Sequence, residues 1–146
     1  MKVRLICVGS MNSGPLKGVL EEYRSRLTHY VDLDIIEVKE SKTDDPNEEA
    51  ISIQKVLDPR GKTIALTLEG KSYTSEAFAT LIHDHQTYQS TPLQFLIGGS
   101  NGLAEELKIN PMSFSSFTFP HQLMRVIFLE QLYRAFKIIR NEMYHK

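Results

Sequence analysis

Three stretches of this 146-residue chain combine residue types and spacings that can do chemistry. The first is Gly98-Gly99-Ser100-Asn101-Gly102, which closes an apolar run. Glycines there permit φ > 0 and let a ligand approach the backbone, although the same pattern also makes an ordinary tight loop. It is not a G-x-G-x-x-G fingerprint with an acid further on, and no Gly-Lys-Ser/Thr follows to make a P-loop. The second is Pro120-His121, with Arg125 and Arg134 downstream. A histidine at a helix start can contact a phosphate or carboxylate, and it reads equally as a helix-start hydrogen bond. The third is the closing Met143-Tyr144-His145-Lys146. Aromatic and basic together, it suits stacking on bases and contact with phosphates, but frayed tails share that composition.

Other reactive residue types read as structural. Ser113, Ser115 and Ser116 lack the G-x-S-x-G elbow of a nucleophile. His83 and His85 are two apart and point to different sides of a helix, so they are poor metal partners. Asp44-Asp45 and Glu48-Glu49 flank Pro46 in a polar stretch. They are expected in an exposed loop and a helix start, where acids suit the helix dipole. Cys7 is the single cysteine, which excludes a disulfide framework and a cysteine metal cluster, and in its apolar run it reads as a buried structural thiol. No metal is expected.

The elements that must position these residues follow from periodicity. Val3–Val8, Asp34–Val38, Thr63–Leu68 and Pro92–Ile97 are predicted strands, and Phe117–Pro120 a fifth. Leu16, Val19, Leu20, Tyr23 and Leu27 predict a helix over Pro15–His29. Ile51, Ile53, Val56 and Leu57 predict a short one ending before Asp58-Pro59. A third carries Phe78, Leu81 and Ile82 behind a Thr74 or Ser75 cap. A short helical piece, Leu103–Ile109, precedes a long helix starting near His121. Alternating strands and helices predict one α/β domain with a largely parallel sheet. The Leu66–Gly70, Gly98–Gly102 and Phe119–His121 turns would then share the carboxyl edge of that sheet, where open α/β folds bind ligands.

On the long helix, Val126, Phe128, Leu129, Leu132, Tyr133, Phe136 and Ile139 form one broad apolar arc. Arg125 and Arg140 fall inside it, either snorkelling out at the helix ends or serving a site. An arc so wide predicts burial on two sides, with a second subunit as one candidate cover.

Composition sets the outer bounds. A chain of this length is expected to be one domain with a real core, and 41% hydrophobic with 24% charged residues fits a soluble, cytoplasmic one. No apolar run approaches the ~20 residues of a membrane span, and no signal peptide is visible. The net charge of −1 hides an asymmetry: residues 121–146 hold five Lys/Arg against two acids, so that segment is +3 and the rest −4. A basic end is compatible with RNA or phosphate, although solvated charged faces are commoner.

The sequence also resembles a known family. LIGGSNGL at Leu96–Leu103, FTFPHQLMRVIFLEQLYRAF at Phe117–Phe136 and the final Tyr144-His145-Lys146 are similar to the ribosomal RNA large subunit methyltransferase H family, of the SPOUT or α/β-knot class. The likeness extends to the opening Val3–Gly9, to Asp34–Val38 and to Thr67–Lys71, nearly the whole chain. The resemblance implies a parallel sheet with helices on both faces and a C-terminal trefoil knot that forms a pocket for S-adenosyl-L-methionine. It implies a homodimer that methylates N3 of a pseudouridine in 23S ribosomal RNA on the assembled ribosome, with no DNA or membrane partner.

Carried over by position, Leu66, Gly98, Phe114, Ser115, Ser116, Phe117, Thr118 and Phe119 would hold the cofactor. His121, Arg125, Arg134, Tyr144 and His145 would lie on the substrate side. His145 is the candidate base, Arg125 or Arg134 the group that stabilises charge on the base carbonyls, and Arg125 is expected to face the seam where RNA enters. Two departures from the family pattern stand out: Lys39–Glu49 is shorter and more acidic, and Gly9–Gly14 lacks lysines. Both weaken the case for RNA contacts on the N-terminal half and leave the knot residues untouched. A small domain of net charge −1 has little RNA-binding surface of its own, which fits a dimer in which one subunit gives the cofactor and the other the tail. The alternative is a non-catalytic RNA- or ribosome-binding module with the same knotted fold. A generic nucleotide-binding α/β enzyme is disfavoured by the missing fingerprints.

Overall fold

Val3, Leu5 and Cys7 alternate with residues that include Ile6 and Val8, and all five are buried. A strand buried on both faces needs helices above and below it, which is the signature of a parallel sheet interior. The computed structural model, which describes residues 1–146, has that arrangement. Strands β1 (Lys2–Val8), β2 (Asp32–Val38), β3 (Lys62–Ser72), β4 (Leu93–Ile97) and β5 (Met112–Ser113) form one sheet in the order β2-β1-β4-β3-β5. Every pairing is parallel. Helices α1 (Pro15–Leu27), α2 (Pro46–Val56), α3 (Ser75–Tyr88) and α4 (His121–Ile139) connect and cover it, with a short 3₁₀ turn at Glu105–Leu107.

The core divides along the sheet. Val3, Leu5, Cys7, Phe95 and Ile97 meet α1, α3 and α4, while Ile6, Val8, Ala65 and Leu96 meet α2 and the 3₁₀ turn. Crossings from β1 to β2 and from β3 to β4 therefore use one face, and those running the other way across the sheet use the opposite face. Crossovers of a single hand require this. Helix α4 lies between α1 and α3. Its buried side, Val126, Phe128, Leu129, Leu132 and Phe136, is the arc expected from its sequence.

Local signals explain the element starts. Asp45 caps α2 by accepting from Asn47 N at 2.9 Å, and Thr74 caps α3 by accepting from Ala77 N at 3.0 Å. Pro15 and Pro46 occupy first-turn positions, where the missing N–H costs nothing.

Two expectations are corrected. Phe117–Pro120 is not a strand: the fifth strand is Met112–Ser113, and residues 114–120 are irregular. The free edge of β3 is already taken by the chain just before β5, where Ala65 N donates to Ile109 O at 2.8 Å and Lys71 N to Pro111 O at 3.1 Å. The acidic stretch is not wholly solvated either. Glu49 is only 3% exposed, on the inner side of α2, where it accepts from Ser41 N at 3.0 Å. His83 and His85 do diverge: His83 is exposed, and His85 is buried with Nε2 2.7 Å from Thr91 O.

Candidate active site

The middle of β3, just past its last pairing with β4, and the carboxyl end of β4 face the chain that follows β5 across a cleft of about 690 Å³. Leu66, Thr67 and Leu68 come from β3, and Ile97 to Ser100 and Gly102 from the end of β4. Met112 to Ser115 and Phe117 to His121 close the remaining side, with Met124 from the first turn of α4.

The glycine loop is folded tightly on itself. Gly102 N donates to Gly99 O at 3.0 Å, and Gly102 has φ +78°. A Cβ on Gly98 would lie 2.5 Å from the Gly102 carbonyl carbon, so only glycine fits there. The facing wall turns through serine hydroxyls. Ser113 Oγ donates to Ser115 O at 2.9 Å, and Phe117 N donates to Ser115 Oγ at 3.0 Å. Phe114 is fixed from behind by Phe78, with ring centroids 5.2 Å apart, and stacks on Phe128 at 6.2 Å. Phe117 and Leu68 stand on the rim, 78% and 51% exposed.

The first turn of α4 completes the cleft. Its N-cap is Pro120, which offers no side-chain acceptor, so no side chain caps the leading N–H groups. An uncapped helix start beside a concave site favours an anion. Leu66, Leu68, Ile97 and Phe119 supply apolar walls of the size a purine needs. Apolar walls, exposed backbone at a glycine loop and a helix N-terminus fit a nucleoside that carries an amino acid. S-adenosyl-L-methionine has that chemistry.

Of the residues named from sequence for the cofactor, Leu66, Gly98, Phe114, Ser115, Phe117, Thr118 and Phe119 line this cleft. Ser116 does not border it. His121 does, and it also borders a smaller hollow shared with Glu37, Lys39 and Glu40. Sequence reasoning named about half of the lining residues; among those it did not name, Thr67, Leu68, Ile97, Gly99, Ser100 and Gly102 lie in the Thr67–Lys71 and Leu96–Leu103 motifs and Pro120 and Met124 in the Phe117–Phe136 motif, while Met112 and Ser113 lie outside all of them.

Arg125 is a correction. It does not face a seam open to RNA. Its side chain is 1% exposed, paired with Glu37 at 2.8 Å, and donates to the Val8 and Gly9 carbonyls at 2.8 and 2.7 Å. A guanidinium so held cannot reach a substrate carbonyl. Cys7 is buried nearby and its thiol is pushed up to about 12 by burial, so it stays protonated and structural.

Arg134, Tyr144 and His145 gather elsewhere. Arg134 lies 13 residues beyond His121, about 20 Å further along the helix. Arg134 Nη2 is 2.6 Å from Glu130 Oε1, and Tyr144 Oη donates to the same oxygen at 3.0 Å. Burial, then hydrogen bonding to Tyr23 and Glu130, pushes the Tyr144 phenol well up, so it is a donor and not a base. Arg134 Nη1 donates to His145 Nδ1 at 3.1 Å, and His145 Nε2 lies 2.7 Å from Glu76 Oε1. Because a guanidinium can only donate, Nδ1 carries the lone pair and Nε2 the proton. The Glu76 carboxyl is held below its usual range chiefly by that hydrogen bond. Within one chain these three residues form a tail cluster that does not line the cleft.

A family model described as "Predicted SPOUT methyltransferase" matches residues 1–145. The ribosomal RNA large subunit methyltransferase H of Bifidobacterium animalis subsp. lactis is 41% identical over the full length of both chains. Those of Clostridium botulinum (strain Langeland) and Streptococcus equi subsp. zooepidemicus are 42% and 40% identical over the same full extent. This chain belongs to the SPOUT methyltransferase family.

Proposed function

We propose that the protein transfers a methyl group from S-adenosyl-L-methionine to N3 of a pseudouridine in 23S ribosomal RNA of the assembled ribosome, working as a homodimer. The observation that carries this reading is the cleft itself. Three separate motif segments, Leu66–Leu68, Gly98–Gly102 and Phe114–His121, converge on one concavity at the carboxyl edge of the sheet. The relatives are named as large-subunit ribosomal RNA methyltransferases, and they supply the substrate class.

The sulfonium of the donor supplies a methyl group already activated for transfer. The chain's own task is to hold the donor and align an attacking nitrogen in line with that methyl. Gly98 to Gly102 offer backbone to the donor's polar edges, Leu66 and Phe119 its apolar walls, and the start of α4 its carboxylate. A uridine-type N3–H must also lose its proton, and a neutral histidine can accept it. His145 carries its lone pair on Nδ1, where it accepts from Arg134 in the docked tail. In a homodimer the tail of one protomer reaches the cleft of the other, exchanging that contact for the substrate. Exposed Phe117 and Leu68 give the cleft rim an apolar surface for the target base. The trefoil knot is part of this reading, as the threading that brings residues 98–120 around the donor.

The test is methyl transfer from labelled donor to assembled ribosomes, separated subunits and naked RNA, with mass spectrometry of the modified base. Methylation of a large-subunit pseudouridine is the expected result. Calorimetry that finds no donor binding at near-millimolar concentration would instead favour a non-catalytic RNA-binding module.

A further inference from the structure

The start of α4 is held by contacts that the methyl transfer does not use. Arg125 follows His121 by four residues, so the two side chains lie on one face of the helix, one turn apart. From there Arg125 reaches down to the carboxyl ends of two strands. Nη1 donates to Glu37 Oε2 at 2.8 Å, and Nη2 donates to Val8 O at 2.8 Å and Gly9 O at 2.7 Å. Glu37 Oε2 also accepts from Met11 N at 2.7 Å, and Gln122 Nε2 donates to Ser10 O at 3.2 Å. One ion pair, buried on the arginine side and with Glu37 35% exposed, therefore ties β1, β2, the loop after β1 and the start of α4 together. His121 stands directly above the tie: a Cβ on Gly9 would lie 3.7 Å from both His121 Nε2 and Arg125 Nη2.

We propose that Arg125 and Glu37 are a positioning pair for the methyl-donor cleft. They set where α4 begins, and so where Pro120, His121 and Met124 stand as its wall. The proposal rests on the reading of that cleft as the donor site. The apolar packing of α4 against α1 and α3 is non-directional and resists a small slide along the helix axis only weakly. A planar guanidinium with three fixed acceptors is directional, and lysine cannot reproduce the fork. Nε has no partner, so the two terminal nitrogens alone define the geometry. Neither residue lines the cleft, so both act through the residues that do.

The test uses the full chain and S-adenosyl-L-methionine as the probe. Wild type, Glu37→Gln and Arg125→Lys are compared by calorimetric donor affinity, by KM and kcat on ribosomes, and by thermal melting. Leu27→Ala is the control, a fully buried change at the far end of α1. Both pair variants are expected to lose about tenfold in donor affinity, because a displaced wall gives up contacts to the bound donor, with KM for donor rising in step and kcat at saturating donor within twofold. The control is expected to melt earlier yet bind donor within twofold of wild type. Should Arg125→Lys fail to fold, Glu37→Gln, which keeps an acceptor in place, decides alone. Folded Glu37→Gln with wild-type donor affinity overturns the positioning role. Absence of donor binding by wild type overturns the reading of the cleft instead.

Discussion

The carboxylate of Glu49 rests against the backbone of Gly99: a Cβ built on Gly99 would meet its two oxygens at 3.2 and 3.3 Å. The acid thus sits directly behind the glycine loop of the cleft proposed to hold the donor, on the other face of the sheet from α4. Burial raises its titration, the Ser41 N–H opposes that, and Asp44, Glu40 and Asp45 add to it. The folded state therefore holds the Glu49 proton more tightly than the unfolded chain does. That contribution to stability is fully present below the ordinary carboxylate range and is lost as pH rises through the raised value. Glu49→Gln keeps the acceptor for Ser41 N and removes the charge. Its Tm should exceed wild type at neutral pH and converge with it in acid, and parallel Tm-against-pH curves would count against this account.

The same substitution should have opposite signs at two glycines. At Gly98 a Cβ would meet the Gly102 carbonyl carbon at 2.5 Å, its oxygen at 2.6 Å and Leu103 N at 2.9 Å, all backbone atoms that cannot swing aside. Gly98→Ala should open the loop and reduce donor affinity by an order of magnitude or more in calorimetry. Gly18 is the fourth residue of α1, with nothing within 4 Å of its would-be Cβ. Gly18→Ala should stabilise the protein by roughly 0.5–1 kcal/mol in urea unfolding, through helix propensity alone. A stabilising Gly98→Ala would mean that the loop is not packed as described.

Periodicity located most of the frame because burial on each element follows it. The strand at Val3–Val8 and the arc from Val126 to Phe136 are where side-chain spacing placed them. The glycine loop was legible because Gly98 has a steric reason to be glycine. What failed depended on distant partners. Arg125 looks like a surface or site residue until Glu37, 88 positions away in sequence, supplies its counter-charge. Glu49 sits in a run of acids and differs from its neighbours only in facing inward against Gly99. Phe117–Pro120 has strand-like residues, but the edge of β3 is already paired with the chain just before β5. Local pattern cannot reveal such competition for partners.

Phe128 joins the core to the cleft. It is fully buried, 4.8 Å from Phe95 and 6.2 Å from both Phe78 and Phe114 between ring centroids. Phe114 in turn lines the cleft. Phe128→Ala should cost about 3–5 kcal/mol, from lost burial and the cavity left behind. Urea unfolding should show a lower midpoint with an unchanged slope. Donor affinity should fall as well, since Phe114 loses the ring it stacks on. Unchanged donor binding in a folded, destabilised variant would show that Phe114 is held by Phe78 alone.

The tail cluster yields the sharpest test of subunit cooperation. His145 is kept in one tautomer by Arg134 and Glu76, about 20 Å along α4 from the cleft of its own chain. If it serves as base at the partner's cleft, His145→Ala should reduce kcat by about 10²–10⁴ and leave donor affinity untouched, as expected for a general base. Arg134→Lys should also lower kcat, because a lysine cannot pair with Glu130 through two nitrogens and still hold the docked imidazole with its lone pair on Nδ1, ready for the exchange. Mixing His145→Ala protomers with Gly98→Ala protomers should then restore activity. Random exchange leaves half of the dimers mixed, and each has one intact cleft facing one intact tail. Recovery on mixing, at a level set by the mixed fraction, supports the crossed arrangement. No recovery, with subunit exchange verified by mass spectrometry, would place both groups in service of the same protomer and require the tail to leave its docked position within one chain.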